Sequence, residues 1–150
     1  MKVWTVERRQ FLAKEPRDVF AFFSRPENLQ QITPDWLDFK ILDVSTPELR
    51  RGTLIRYALR WRMLPLRWTT EIVRWEPPHR FVDEQISGPY KLWHHEHRFE
   101  PQGNGTVMFD TVRHALPLGE LGNIFAAPFV KRDVDDIFDY RSGRIRKLFG

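Results

Sequence analysis

The stretch LRWTTEIVRWEPPHRFVDEQISGPYKLWHHEHRF, which spans Leu66–Phe99, decides the fold. It contains three segments rich in aromatic and branched residues, separated by Pro77-Pro78 and by Gly88-Pro89. Proline and glycine at such positions mark short turns, and short turns join antiparallel neighbours. The pattern therefore predicts three consecutive antiparallel strands, over Leu66–Trp75, Arg80–Ser87 and Lys91–Phe99.

One face of these predicted strands mixes aromatic with polar side chains. Alternate residues of a strand share a face. This alternation groups two sets of residues, namely Phe81, Asp83 and Gln85 on the second segment and Trp93, His95, His97 and Phe99 on the third. Large aromatics with a few placed polar groups are typical of a pocket wall. We therefore predict that this face lines a ligand cavity.

The rest of the chain extends the same sheet and adds helices. Further strands are predicted over Lys2–Leu12, Phe39–Ser45, Thr53–Trp61 and Thr106–Leu116, and two short helices begin at Pro16 and Pro26. From Val130 to Leu148, apolar residues recur every three or four positions, with Tyr140 or Arg141 at one position of the stripe. That period predicts an amphipathic helix of roughly 20 residues. Because its apolar stripe must pack on the sheet, we predict an α+β fold, a seven-stranded antiparallel sheet wrapped around a long C-terminal helix with a cavity between them.

The composition excludes several classes of function. A chain of 150 residues fits a single domain, and the absence of Cys excludes disulfides, thiolate catalysis and Cys-based zinc sites. The net charge is +4, but acidic residues are interspersed among the basic ones and no groove-reading motif accompanies them, so we expect no nucleic-acid binding. No apolar run approaches the ~20 residues of a membrane span. We expect a cytoplasmic protein without integral membrane association, either a monomer or a weak homodimer.

The polar groups on the pocket face leave several interpretations open. His95, His97, Asp83 and Asp110 are acid–base candidates if their side chains meet inside the fold, because burial and charge pairing tune such groups. Alternatively, they form a hydrogen-bond network that ties adjacent strands together. His95-x-His97 with a nearby carboxylate could also hold a metal ion, but this spacing is generic, and we predict neither a metal nor another cofactor.

Two tryptophans and one arginine are further candidates for the cavity. Trp68 and Trp93 are predicted to line it, whereas the other tryptophans are interpreted as packing residues. Arg141 lies near the buried stripe of the C-terminal helix. It either anchors an anionic ligand group or forms a buried ion pair with Asp110 or Asp83, and we favour the ion pair.

Several motifs resemble those of one superfamily over essentially the whole chain. They are Pro16-Arg17-Asp18-Val19-Phe20, Trp75-Glu76-Pro77-Pro78, Trp93-His94-His95-Glu96-His97-Arg98-Phe99 and Leu116-Pro117-Leu118-Gly119. The set resembles the START-like or SRPBCC superfamily, which has the helix-grip fold and includes polyketide cyclase/dehydrase-like proteins. Within it, the motifs look like those of a bacterial stand-alone subgroup that is similar to a domain of proteins described as cell-division inhibitors. The resemblance implies a cavity between the sheet and the C-terminal helix.

The leading functional prediction is binding of a small hydrophobic or amphipathic ligand, such as a lipid, an isoprenoid or a polyketide-like molecule, in that cavity. The predicted ligand contacts are Trp68, Phe81, Asp83, Gln85, Trp93, His95, His97, Asp110 and Arg141. Two alternatives stay open, because one fold hosts many functions. The first is a polyketide cyclase or dehydratase that uses the His and Asp side chains as acid and base. The second is a module that binds a partner protein through its surface. Of the three, we favour binding without catalysis.

Overall fold

The computed structural model describes residues 2–119 and 126–149. The strands are β1 (Trp4–Leu12), β2 (Lys40–Val44), β3 (Leu54–Trp61), β4 (Leu64–Glu76), β5 (Arg80–Ser87), β6 (Leu92–Gln102) and β7 (Gly105–Ala115). The α-helices are α1 (Pro16–Phe23) and α2 (Ala127–Phe149), and two 3-10 helices, η1 (Pro26–Ile32) and η2 (Asp35–Leu37), follow α1.

All seven strands belong to one antiparallel sheet with the order β1-β7-β6-β5-β4-β3-β2. Strands β2 to β7 form a meander, and β1 pairs with the last strand of the meander, β7. The predicted seven-stranded antiparallel sheet is therefore confirmed. Register irregularities interrupt the pairing of the long strand β4 with β5, between Thr69 and Thr70 and between Ile72 and Arg74. Such irregularities bend a strand and increase its twist.

Two tight turns set strand boundaries that differ from the predicted ones. Strand β4 begins at Leu64 rather than Leu66, because Arg62 and Met63 alone form the preceding turn and both have positive φ, 50° and 72°. Strand β6 extends to Gln102, since a two-residue turn starting at Gly103 (φ 59°) joins it directly to β7. Two-residue turns of positive φ match the right-handed twist of the strands that they connect.

Aromatic packing fills the region where α1 lies against the sheet. Pro16 starts this helix, which buries Val19, Phe20 and Phe23. The ring of Phe20 packs edge-to-face on Trp75, Phe81 and Phe99, at centroid distances of 5.0, 5.8 and 5.6 Å. These separations lie in the range that favours aromatic pairs. The part of the core beneath α1 is therefore close-packed.

Helix α2 packs on the sheet through one side. Its stripe of buried residues, spaced by three or four positions, consists of Val134, Phe138, Arg141 and Ile145. The alternative between Tyr140 and Arg141 is thereby settled, because Tyr140 is exposed and Arg141 is buried. Leu148, predicted as part of the stripe, is instead exposed. The neighbouring Phe149 packs on Phe22 and Phe23 in its place, with centroids 5.1 and 6.4 Å apart.

The helix-grip α+β architecture predicted from the sequence is therefore observed, with α2 lying across the sheet and packed on Val6 and Val112 through Val134 and Phe138. None of the helices in residues 2–119 and 126–149 is long and apolar enough to cross a membrane.

Candidate functional site

A cavity of about 390 Å³ lies between the sheet and α2. Its walls come mainly from β3 to β6, from α2, from the end of α1 and from the segment that contains the two 3-10 helices. Most lining side chains are aliphatic or aromatic. Cavities of about 300–1,000 Å³ with mainly apolar walls are typical of small-molecule sites. The space predicted between sheet and helix therefore exists in the folded chain.

Three aromatic rings form one wall of the cavity. Trp68 and Trp93 meet edge-to-face with centroids 5.1 Å apart, and Tyr90 packs against both, at 5.5 and 4.8 Å. Each of the three lines the cavity. Because the rings support one another, their positions are fixed by packing. Both tryptophans that were predicted to line the cavity do so.

A polar cluster interrupts the apolar lining. It consists of Asp83 on β5, His95 and His97 on β6, Asp110 on β7 and Arg141 on α2, and is called the His–Asp–Arg cluster below. Strand register brings its members together, since Asp83 is the cross-strand partner of His95 and Asp110 that of His97. The two imidazoles share a face of β6 and stack at a centroid distance of 3.6 Å.

Hydrogen bonds connect each carboxylate of the cluster to an imidazole. His95 Nε2 lies 2.8 Å from Asp110 Oδ1, and His97 Nε2 lies 2.7 Å from Asp83 Oδ2. His97 Nδ1 is 3.4 Å from Asp110 Oδ1. Phe81 stacks on the outer face of the His97 ring, with centroids 4.0 Å apart and an interplanar angle of 11°. The imidazoles are therefore fixed by both bonding and stacking.

Arg141 joins α2 to the cluster through Asp110. Its Nε donates to Asp110 Oδ2 at 3.2 Å and its Nη2 donates to Oδ1 at 3.3 Å. Both side chains are almost fully buried. The pair has the two-pronged geometry that gives Arg–carboxylate contacts their strength. Arg141 thus forms the buried ion pair that the sequence analysis favoured, with Asp110 rather than Asp83.

Both carboxyl groups of the cluster are ionised at neutral pH. Burial alone would raise the pKa of Asp110, but the Arg141 charge and the hydrogen bonds from both imidazoles hold it well below its usual range. Burial also opposes ionisation of Asp83, and the hydrogen bond from His97 with the surrounding positive charges lowers its pKa nonetheless. These are the effects by which opposite charges and donors stabilise a buried carboxylate.

The pKa values of the two imidazoles are shifted in opposite directions. Burial, followed by the His97 charge, lowers the pKa of His95 to about 4, so this ring is neutral. Burial opposes the charged form of His97 as well, but its hydrogen bonds to Asp110 and Asp83 raise the pKa of this ring. The two buried carboxylates are thus surrounded by the Arg141 guanidinium and by imidazole donors, which are the partners that buried charges require.

Two of the predicted ligand contacts, Gln85 and Asp110, are absent from the cavity lining in the described part of the chain. The Gln85 amide donates to the Tyr90 carbonyl at 2.7 Å and accepts from the Tyr90 N–H at 3.0 Å, so it holds the turn before β6. Asp110 lies behind the imidazoles and supports them. The other predicted contacts, Trp68, Phe81, Asp83, Trp93, His95, His97 and Arg141, all line the cavity.

The cavity also includes polar residues that the sequence analysis did not single out as ligand contacts. Trp61, interpreted there as packing, lines it and donates its indole N–H to Asp133 Oδ2 at 2.6 Å. Tyr57 lines it too, and burial with the nearby Asp83 charge raises the pKa of its hydroxyl well above the usual value. The alternation of β3 places both on one face. That signal was available in the sequence, whereas the contact with Asp133 required the fold.

Three possible metal ligands of the cluster, from Asp83, His95 and His97, lie within 4.8 Å of one another. The imidazole planes, however, are stacked and inclined by only 29°. The nitrogen lone pairs of two such nearly parallel rings lie side by side, so they do not converge on one metal ion. Arg141 Nη2, 3.4 Å from His97 Nδ1, adds a positive charge beside them. The arrangement suits a hydrogen-bond network better than a cation site.

Comparisons with solved structures show the fold. A protein of Chromobacterium violaceum superposes with a TM-score of 0.74 at 13% identity, covering 97% of each chain. A point mutant of norcoclaurine synthase from Thalictrum flavum, in complex with a transition-state analogue, gives 0.70 at 12% identity, covering 99% of this chain and 94% of the other. Major latex-like protein 151 of Panax ginseng gives 0.70 at 11%, covering 98% and 97%.

The sequence has no match among curated proteins. One family model, described as polyketide cyclase / dehydrase and lipid transport, matches residues 12–139. The matched range runs from the end of β1 into α2, so it includes every strand but the first and the whole His–Asp–Arg cluster except Arg141. The chain therefore belongs to the polyketide cyclase / dehydrase and lipid transport family.

Proposed function

We propose that this protein binds a small hydrophobic or amphipathic molecule, of lipid, isoprenoid or polyketide type, in the cavity between the sheet and α2. The observation that carries the proposal is the cavity of about 390 Å³ with predominantly apolar walls and one polar cluster. The family, described by polyketide chemistry and lipid transport, supports a hydrophobic ligand in general terms.

The apolar walls provide the driving force for binding. A ligand that transfers about 200 Å² of apolar surface into the cavity gains about 5 kcal/mol from that transfer. Part of this gain is offset by lost translational and rotational freedom. The wall of Trp68, Tyr90 and Trp93 is already packed, so little further ordering of side chains is required on binding.

The cluster favours a positioning role over proton transfer. An efficient general base has a pKa near the working pH. The pKa of His95 is about 4, which makes its ring a weak base. His97 is bonded through Nε2 to Asp83 and faces Asp110 through Nδ1, so neither nitrogen is free for a substrate. Binding is therefore the better-supported function than the cyclase or dehydratase alternative.

The experiment has two arms. In the first, the protein is purified without added ligand, denatured and extracted, and the extract is compared with that of the native protein by mass spectrometry. In the second, Nile red fluorescence measures binding to the wild type and to two variants. Leu59→Trp introduces a large side chain into the lining, whereas Leu42→Trp makes the same exchange at an exposed position of β2.

We expect Leu59→Trp to weaken dye binding by about tenfold or more, which corresponds to about 1.4 kcal/mol of lost contact, and Leu42→Trp to leave it unchanged. Equal binding by all three proteins would show that the dye occupies another site. If, in addition, no molecule is extracted, the proposed function is wrong.

A further inference from the structure

The polar part of the cavity lining contains a hydrogen-bond acceptor without a donor. His95 directs Nε2 to Asp110, and because the ring is neutral this nitrogen carries the proton. Its Nδ1 is therefore an acceptor. In the described part of the chain no hydrogen bond reaches Nδ1, and the nearby Asp83 Oδ2, at 3.9 Å, is itself an acceptor. His95 is 6% exposed and lines the cavity.

Asp83 provides a second acceptor beside the first. Its Oδ2 accepts from His97, while Oδ1 has a contact of 3.5 Å with the Thr70 hydroxyl. That hydroxyl has one proton, and the Glu84 carbonyl at 2.9 Å is the closer acceptor for it. Asp83 Oδ1 is therefore left without a good donor among the described residues. The side chain lines the cavity next to His95.

Acceptors buried in apolar surroundings gain most from a donor that arrives with a ligand, because water is poorly available there. We propose that the ligand carries a hydroxyl group, alcoholic or phenolic, whose O–H donates to the acceptor pair formed by His95 Nδ1 and Asp83 Oδ1. The inference rests on the proposed function, since it assigns the head group of the molecule whose apolar body fills the same cavity.

Charge selects the hydroxyl over other head groups. A carboxylate would place a second negative charge and further acceptors against Asp83, with no proton to share. An ammonium would donate as well, but it would have to give up its hydration in an apolar cavity whose lining already contains the Arg141 guanidinium. A hydroxyl is neutral and also accepts, so it is compatible with the Tyr57 hydroxyl and the Arg141 guanidinium in the same lining.

Four probes with one ring system test the inference by isothermal titration calorimetry. They are 2-naphthol, 2-methylnaphthalene, 2-naphthoate and protonated 2-(aminomethyl)naphthalene. A hydrogen bond to a charged group predicts that 2-naphthol binds about tenfold more tightly than 2-methylnaphthalene. The two ionic probes should bind more weakly than 2-naphthol.

Two variants test whether the preference for 2-naphthol depends on Asp83. Asp83→Asn replaces a carboxylate of the lining by a neutral amide, which is the weaker acceptor, and should reduce the preference for 2-naphthol. Glu84→Gln makes the same change one residue further on, where the carboxylate bonds to His94 Nδ1 at 2.6 Å and is not part of the lining, and should preserve it. If Asp83→Asn does not fold, the order of the affinities of the four probes for the wild-type protein is by itself the test of the hydroxyl assignment.

The outcomes separate this inference from the proposed function. Similar affinities for 2-naphthol and 2-methylnaphthalene, or tightest binding of either ionic probe, would overturn the hydroxyl assignment and leave hydrophobic binding intact. A preference for 2-naphthol that is undiminished in a folded Asp83→Asn variant would also overturn it. Failure of all four probes, with no Nile red binding, would remove both proposals together.

Discussion

Replacing Arg141 by methionine is the most direct test of how the polar lining is held in place. The change removes a buried cation but keeps much of the side-chain volume. Arg141 Nε and Nη2 donate to the two oxygens of Asp110 at 3.2 and 3.3 Å, and the two side chains are only 6% and 7% exposed. Without Arg141, the Asp110 carboxylate stays buried with only the imidazoles as partners.

The size of the effect follows from that burial. Removing one partner of a buried ion pair destabilises a protein by about 3–5 kcal/mol, because the remaining charge is left without its counter-ion. We expect Arg141→Met to lower the free energy of unfolding by that amount. Replacing both partners, as in Arg141→Met with Asp110→Leu, should cost clearly less than the sum of the single changes, since no uncompensated carboxylate remains.

Urea denaturation followed by tryptophan fluorescence measures these free energies. Arg80→Met is the matched control, because Arg80 also pairs bidentately with a carboxylate, Glu76, but at the surface of the sheet. Exposed pairs contribute little to stability. A loss in Arg141→Met no larger than that in Arg80→Met would refute the reasoning, because the Arg141–Asp110 pair would then contribute no more than an exposed pair.

Three further predictions concern pH, ionisation and packing. Because burial lowers the pKa of His95 to about 4 while the unfolded chain binds this proton near pH 6.5, stability should fall by up to about 3 kcal/mol as the pH drops across that window. His95→Gln should reduce this slope, and an unchanged slope of unfolding free energy against pH would contradict the assignment. Burial raises the pKa of both Tyr57 and Tyr90, so ultraviolet titration should show these two of the three tyrosines ionising only above the ordinary range, or on unfolding. Phe20→Ala should destabilise by about 3–5 kcal/mol in urea, because it empties the aromatic site beneath α1, whereas a similar loss in the exposed control Phe11→Ala would argue against specific packing.

The fold could be predicted from the sequence because its signals are local. Period-2 alternation, turn residues and the three-to-four spacing from Val130 onwards each act within a few residues. The ambiguity between Tyr140 and Arg141 could not be resolved locally. Arg141 faces the sheet because it forms a buried ion pair with Asp110, which lies 31 residues earlier in the chain. A hydropathy pattern does not show which distant residues form such a pair.

The positions of candidate site residues were predicted correctly where neighbouring strands are paired, and incorrectly where the pairing ends. Alternation placed Asp83, His95 and His97 on one face correctly, since β5 and β6 are in register there. The pairing of β5 with β6 ends at Glu84 and His94, and the next residue, Gln85, turns its amide to the Tyr90 backbone instead of the cavity. For Trp61, the alternation of β3 indicated the face on which it lies, but its hydrogen-bond partner Asp133 lies 72 residues away and could not be predicted.

The same chain achieves a packed core and an open cavity by using its aromatic residues in two ways. Beneath α1, the ring of Phe20 packs edge-to-face on Phe81 and Phe99, and Phe81 also lines the cavity. Around the cavity, Trp61 is held by Asp133 and the imidazoles by carboxylates. Side chains fixed by hydrogen bonds cannot collapse inward without breaking them, and an unmade buried hydrogen bond costs about 1–3 kcal/mol. The hydrogen bonds of the polar cluster therefore hold its side chains at the cavity wall, and they leave His95 Nδ1 and Asp83 Oδ1 as acceptors there.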